Sequence, residues 1–401
     1  MRTRFLQNAV TLGLLSAIGP FAIDMYLPGL PSIGHSLAAS PAAVQLSLTV
    51  FFAALSAGQL LCGALADVYG RKLPLYCGLA IFAVGSLGCA LAPNISTLIA
   101  FRFMQGLGAC AGMVVPRAVV RDLHTGIEAT RLMSLIMLVF SISPLVAPLT
   151  GTFFIQHGGW RAVFWAVLVA SLIGLGILTT LRETRPAAAR AGSTLAGAFS
   201  AYPRLLRDRS FVALSLLGTF GIGSFFIYLA NSPFVFIQHY HLSPRVFSLL
   251  FSVNAASFFS AAQLTGWLVA RVGLKPLVRR AATAYAAVTL TLLVLFASGV
   301  DRLEVLATLL FVSYACLGIM MPTNAVLALE EHGADAGAAS ALMGTVQFAV
   351  GSLLMMVSSS FANGMPLPMV AGIACCAMIA LALAHTTLRG APEPEAETAA
   401  D

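Results

Sequence analysis

Gly63-Ala64-Leu65-Ala66-Asp67-Val68-Tyr69-Gly70-Arg71-Lys72 stands between two long apolar runs. Asp67, Gly70, Arg71 and Lys72 make a turn too short to be a domain. A turn this short forces the flanking helices to lie antiparallel and adjacent. Asp67 ends one helix, and Arg71-Lys72 open the next at a water-facing boundary. Gly63 and Gly70 permit close backbone approach or a sharp turn. Any short polar loop between membrane helices would read this way, so the rest of the chain decides.

Composition supports a membrane chain. Of 401 residues, 59% are hydrophobic and 9% charged, against about 25% charged in a soluble protein. So little charge cannot build a water-facing surface. The formal charge of +7 would suggest nucleic acid only if the basic residues shared one soluble face. They are dealt out among short loops instead, so no nucleic-acid partner is expected. The seven Cys lie in or beside apolar runs and read as small packing residues. The start, Met1-Arg2-Thr3-Arg4 and then an apolar run, has the opening of a signal peptide. The run continues to Leu30 without a small-x-small cleavage site, which favours a retained first helix.

Twelve runs reach the roughly 20 residues a spanning helix needs. They cover approximately 6–30, 43–66, 73–92, 96–120, 130–155, 161–181, 211–238, 246–270, 276–299, 303–329, 337–362 and 367–388. With the N-terminus inside, 18 of the 22 Lys and Arg fall on the inner side, in loops or at inner helix ends, and 3 on the outer side, with Arg102 left within a span. That imbalance puts both termini in the cytoplasm. The loop 183–210, with Ala-Gly-Ser filler at 191–197, reads as a linker between a 1–182 half and a 211–390 half. Residues 391–401 read as a disordered acidic tail. Two halves imply a repeat. Shifting the opening stretch by 203 residues matches Gly63 to Gly266, Leu65 to Leu268, Gly70 to Gly273 and Lys72 to Lys275. Asp67 meets Ala270 and Arg71 meets Leu274, so the second copy keeps the turn and loses most of the charge. The expected fold is all-α, with twelve spans in two pseudo-symmetric six-helix halves.

Charges well inside spans are rare and usually face a bundle interior or cavity. Asp24 lies about 18 residues, roughly 27 Å, from the inner end of the first span, and Arg102 about six residues, roughly 9 Å, from the outer end of the fourth. Both therefore sit at similar depth in the outer half, near enough in height to influence each other. A buried ion pair that only locks two helices is one reading. Pro20, Pro28 and Pro31, which break the first span around Asp24, argue for more. The fourth span continues Arg102-x-x-Gln105-Gly106-x-Gly108-Ala109, with Gly106, Gly108 and Gly112 on a close-packing face. The fifth carries Ser143-Pro144-Leu145-Val146-Ala147-Pro148-Leu149-Thr150-Gly151.

These motifs, with Asp24-Met25-Tyr26-Leu27-Pro28-Gly29-Leu30-Pro31, occur in an order that resembles the major facilitator superfamily. The opening stretch is similar to that family's loop between helices 2 and 3. Ala147, Pro148 and Gly151 are similar to its Gly-Pro-x-x-Gly antiporter signature, with Ala147 replacing the first Gly. Asp-Met-Tyr-Leu-Pro looks like the bicyclomycin-resistance and chloramphenicol-exporter branch (Bcr/CflA) of the drug:proton antiporters. The resemblance covers the whole chain and is dense in residues 20–152. It implies proton and substrate coupling at Asp24, proton transfer at Arg102, and closure of the cytoplasmic side by Gly63, Asp67, Gly70 and Arg71. Asp122, at the inner end of the fourth span, would partner Arg71. It also implies a bacterial inner membrane, a small amphiphilic substrate exchanged for protons, a monomer, and no cofactor.

Candidate substrate contacts are Asp24, Tyr26, Gln105, Phe226, Tyr228, Asn231 and Tyr314, since a pocket with one carboxylate and apolar walls suits an amphiphile. Phe225, Asn324 and Gln347 extend this set. An exporter of a metabolite such as an amino acid or nucleoside is the alternative within transport. An enzyme would need clustered His, Asp or Glu, and the seven His are scattered. A nucleotide-driven pump would need a Gly-Lys-Ser or Gly-Lys-Thr phosphate loop, and the chain has none.

Overall fold

A computed structural model of the chain describes residues 2–124, 126–190, 194, 199, 201–330, 332 and 336–388. The acidic tail 391–401 and most of the filler at 191–197 lie outside these. Twelve helices are long and apolar enough to cross a membrane. They are α1 (Arg2–Asp24), α2 (Pro41–Val68), α3 (Lys72–Ala90), α4 (Ile95–Leu123), α5 (Gly126–Gly158), α6 (Arg161–Leu178), α7 (Arg209–Pro233), α8 (Pro244–Gln263), α9 (Leu274–Ala297), α10 (Leu303–Glu330), α11 (Ala336–Ser360) and α12 (Pro366–Thr387). Among the described residues there is no strand.

The helices form two six-helix halves with matching packing. In the first, α4 packs on α2 and α3, and α5 on α1; in the second, α10 packs on α8 and α9, and α11 on α7. Local chemistry repeats with the packing. Gly70 and Gly273, 203 apart, both have positive φ, +91° and +82°. A side chain there would strain the backbone, and glycine has none. A second pair shares this offset. Ser40 caps α2 by accepting from the Ala43 amide, and Ser243 caps α8 by accepting from the Val246 amide. Each is followed by proline at the first helical position, where its missing N–H costs nothing.

The first span is broken as its prolines suggest. α1 stops at Asp24, a 3-10 turn covers Leu27–Gly29, and a short helix runs Leu30–Ser36. Past Pro233, α7 widens into a π-helix over Phe234–His239. The halves meet along α2 with α11 and along α5 with α8. The end of the bundle that bears Arg71, Arg185, Arg279 and Arg280 is termed the basic face, and the other end the opposite face.

Candidate functional site

Asp24 and Arg102 are both buried, yet no ion pair joins them. The Asp24 carboxylate turns to α5, where Ser143 Oγ donates to its Oδ2 at 3.1 Å. Arg102 turns the other way. Its guanidinium lies 4.5 Å from the Tyr26 ring centre, 4.3 Å from Phe51 and 6.0 Å from Phe164. It donates to Gln105 Oε1 at 2.6 Å, and Gln105 in turn donates to Ser86 Oγ at 2.8 Å. Tyr26 is pinned by Ser47 at 2.7 Å. The reading of a buried ion pair that locks the first span to the fourth is therefore not met, since each charge has other partners. Residue counting along a helix gives height, not direction. Where α1 ends, the chain turns, and Tyr26 takes the place beside Arg102.

The α5 motif sets how closely α1 approaches. A β-carbon at Gly151 would collide with the Met25 carbonyl, so only glycine lets α5 reach the residue after Asp24. Pro148 and Ala147 lie on the same run, and the Pro148 carbonyl accepts from Ser248 Oγ of α8 at 3.1 Å.

The second-half candidates separate into two groups. Tyr228 and Tyr314 line an apolar cavity of about 150 Å³ with Pro144, Phe225, Phe251 and Asn254. Asn254 Nδ2 donates to Tyr228 Oη at 3.1 Å, and Tyr228 stacks on Phe251 with ring centres 5.7 Å apart. Phe226 and Asn231 do not line it. Phe226 sits edge-on to Phe52 of α2 at 4.8 Å, and Phe52 stacks on Phe348 of α11 at 5.8 Å. Asn231 Oδ1 accepts from Gln45 Nε2 of α2 at 3.2 Å, and the Ala230 carbonyl accepts from the same nitrogen at 3.0 Å. Tyr26 and Gln105 belong to the Arg102 cluster. Gln45, Phe52, Ser143 and Ser248 were missed by the sequence reading. Gln45 carried a signal, being one of two amides, with Gln59, in the apolar run 43–66.

These contacts form a seam that closes the opposite face. Besides the Gln45 bonds, Ser252 Oγ donates to the Leu145 carbonyl at 2.7 Å, and the Thr152 and Ser248 hydroxyls meet at 2.8 Å. Toward the basic face the halves part. A cavity of about 660 Å³ opens there between them, lined by Gln59, Met113, Arg117 and Phe140 on one side and by Gln347 and Phe348 on the other.

The charged turn lies at the mouth of this cavity. Arg71 donates to Asp122 at 2.8 and 3.2 Å and to Asp67 at 2.8 Å. Arg185 reaches Asp67 at 3.1 Å. Glu183 accepts the Arg71 amide at 2.9 Å and the Lys72 amide at 3.1 Å. Partial burial pushes the Glu183 pKa up, but the amides of Arg185, Arg71 and Lys72 and the charge of Arg190 outweigh it, so the pKa is lowered. Every one of these partners lies in the first half or in the opening residues of the linker that follows it. In this conformation the cluster ties α2, α3, α4 and the segment that follows α6 into one body and does not bridge the halves. Gly63 lines the cavity beside it.

Residues 12–356 match the family described as the Major Facilitator Superfamily. The chain is 38% identical over 353 residues to an uncharacterized MFS-type transporter, YdgK, of Bacillus subtilis, covering 87% of each chain. It is 28% identical to a bicyclomycin resistance protein homolog of Haemophilus influenzae, over 93% of this chain and 94% of that one. It is 27% identical to the multidrug resistance protein MdtL of Escherichia coli, over 97% of each. Among solved structures, a D-xylose-proton symporter superposes with a TM-score of 0.74 at 17% identity, over 97% of this chain and 98% of that one. An inward-facing bacterial homolog of the lysosomal transporter Spinster also gives 0.74, at 16% identity over 95% and 96%. At such identities these two speak for the fold alone.

Proposed function

Because the chain belongs to the Major Facilitator Superfamily, and so is a multi-pass membrane transporter rather than an enzyme, we propose that it exports small amphiphilic molecules in exchange for protons. The basic face is read as cytoplasmic, with both termini there and the membrane a bacterial inner membrane. One chain holds the whole pathway, which supports a working monomer. The halves 1–182 and 211–390 rock about the Phe52–Phe226–Phe348 contact, exposing the centre to one side at a time. The names of the bicyclomycin and multidrug relatives support the substrate class.

The observation that carries the proton part is Asp24. It is a buried carboxylate at a helix break, held by one hydroxyl and by no fixed cation. Its partner Ser143 is followed by Pro144, which lines the apolar cavity. A proton and a substrate can thus compete for one group. Facing outward, Asp24 takes up a proton and releases substrate; facing inward, it loses the proton and binds again. Arg102 holds its charge within the aromatic cluster and shapes the field around this exchange. Asp67 and Arg71 belong to the surface that closes the cytoplasmic mouth in the outward-facing state.

The test is proton release when candidate drugs are added to purified protein in weak buffer, with pH-driven uptake in proteoliposomes. Asp24→Asn should lose both while staying folded. Proton release and accumulation that persist in Asp24→Asn would place the coupling carboxylate elsewhere.

A further inference from the structure

A second basic feature lies away from the transport pathway. On the basic face, a groove of about 560 Å³ runs between α9 and α12, lined by Arg279, Arg280, Thr283, Ala284, Ala287 and His385. His385 Nε2 meets Thr283 Oγ1 at 3.1 Å and ties the two walls together. Lys275 stands exposed one turn before Arg279. From residue 209 to residue 300 the sequence contains no Asp or Glu, and neither does α12. Among the described residues Arg271, Lys275, Arg279 and Arg280 form no ion pair. Around the charged turn, by contrast, Arg71 and Arg185 have carboxylates at 2.8 and 3.1 Å.

Topology alone places cations at this boundary. It does not supply a groove, nor strip every acid from the walls. The height of the groove is also fixed. The 24 residues of α9 span about 36 Å, more than the roughly 30 Å of hydrocarbon. The surplus of about 6 Å is about four residues, so Arg279 and Arg280 lie within about one turn of the headgroup level, close enough for their long side chains to reach it. Toward the bilayer centre, Ala287, Leu290 and Val294 continue as an exposed stripe, spaced to share one helix face. Exposed Trp267, with Arg271 at 3.9 Å from its ring, marks the same level, since tryptophan favours the interface.

We propose that this groove binds an anionic phospholipid, its phosphodiester held by Arg279 and Arg280 and an acyl chain lying along Ala287, Leu290 and Val294. Guanidinium forks suit phosphate oxygens. The site takes the basic face to be the cytoplasmic leaflet's side and is otherwise independent of what is transported.

The experiment is native mass spectrometry of the full chain in detergent, with phosphatidylglycerol and phosphatidylcholine added in equal amounts. Wild type should retain phosphatidylglycerol preferentially. Each cation near a membrane surface is worth about a fivefold gain, so R279Q/R280Q should reduce the preference about 25-fold. R182Q/R207Q, which removes as much charge elsewhere, should leave it unchanged. Ala284→Trp, which fills the groove and keeps its charges, should also abolish it, and decides the matter should the double variant fail to fold. An equal loss in R182Q/R207Q, or full retention in Ala284→Trp, overturns the site. Displacement of the lipid by excess inorganic phosphate would make it a phosphate site and overturn the lipid assignment. Transport assays play no part in these outcomes, so the site and the proposed function fail separately.

Discussion

Gln45→Leu is the perturbation with the most direct reading in the structure. Gln45 is fully buried on α2 and reaches across the seam with one nitrogen, to the Ala230 carbonyl and the Asn231 side chain. Leucine keeps most of the volume and removes both bonds. A buried hydrogen bond contributes about 1 kcal/mol net. Both bonds join the halves, so both are lost when the seam opens. The variant should thus favour the open opposite face by about 2 kcal/mol, a factor of about 30 in the ratio of the two states. Spin-label distances between positions 35 and 241 read the opposite face, and those between 69 and 330 read the basic face. The first should lengthen and the second shorten, in the same fraction of molecules. Ser32→Ala removes a bond confined to the first half, Ser32 to the Gly29 carbonyl at 2.8 Å, and should shift neither. Unchanged distributions in Gln45→Leu, or an equal change in Ser32→Ala, would refute the idea that the seam holds this state.

Three further outcomes follow from the charged turn and the α1–α5 contact. Arg71→Gln should cost about 1.5–3 kcal/mol, the worth of hydrogen bonds to charged groups. A thermal double-mutant cycle with Asp122→Asn should show the two losses overlapping rather than adding. Glu183→Gln should lower the melting temperature at neutral pH. The folded Glu183 pKa is lowered, so its stabilisation is present above the ordinary glutamate value of about 4.3. It fades as pH falls through the folded value, and variant and wild type should converge in acid. Gly151→Val should displace α1 from α5 and cost about 1–3 kcal/mol as overpacking, with reduced thermal stability and with Asp24 function lost alongside.

The span count, the two halves and the turn at Gly70 were legible because they rest on periodic and local signals. Apolar length, charge asymmetry and a glycine forced to positive φ are written in consecutive residues. The Ser40-Pro41 and Ser243-Pro244 caps were equally local, and they carry the same 203-residue offset. The site was less legible for a geometric reason. Sequence gives depth along each helix but not which neighbour a side chain turns to. Phe226 and Tyr228 are two residues apart on α7, so they point to different sides; one joins the seam and the other lines the cavity. Glu183 carries no motif. Its role appears only when the segment after α6 is folded against the turn between α2 and α3.

Asp24 and Arg102 are held in different ways, and the difference bears on the proposed function. Arg102 keeps its proton in proteins, so its charge is permanent and must be offset in place. Three aromatic rings, Gln105 and the residues behind them do this, and its Nε and second terminal nitrogen meet ring faces rather than acceptors. Such an arrangement depends on a planar cation, which lysine does not supply. Asp24 has no comparable enclosure. One hydroxyl on α5 holds it, at the point where α1 stops and Gly151 brings α5 against the chain. Of the two, only the carboxylate belongs to a type of side chain that can lose its charge by taking up a proton. It is also the one placed where α1 and α5 meet, next to the α5–α8 seam that would part in the proposed rocking of the halves. A group that alters its charge at a moving joint can bias that joint; a fixed charge in a rigid cage cannot.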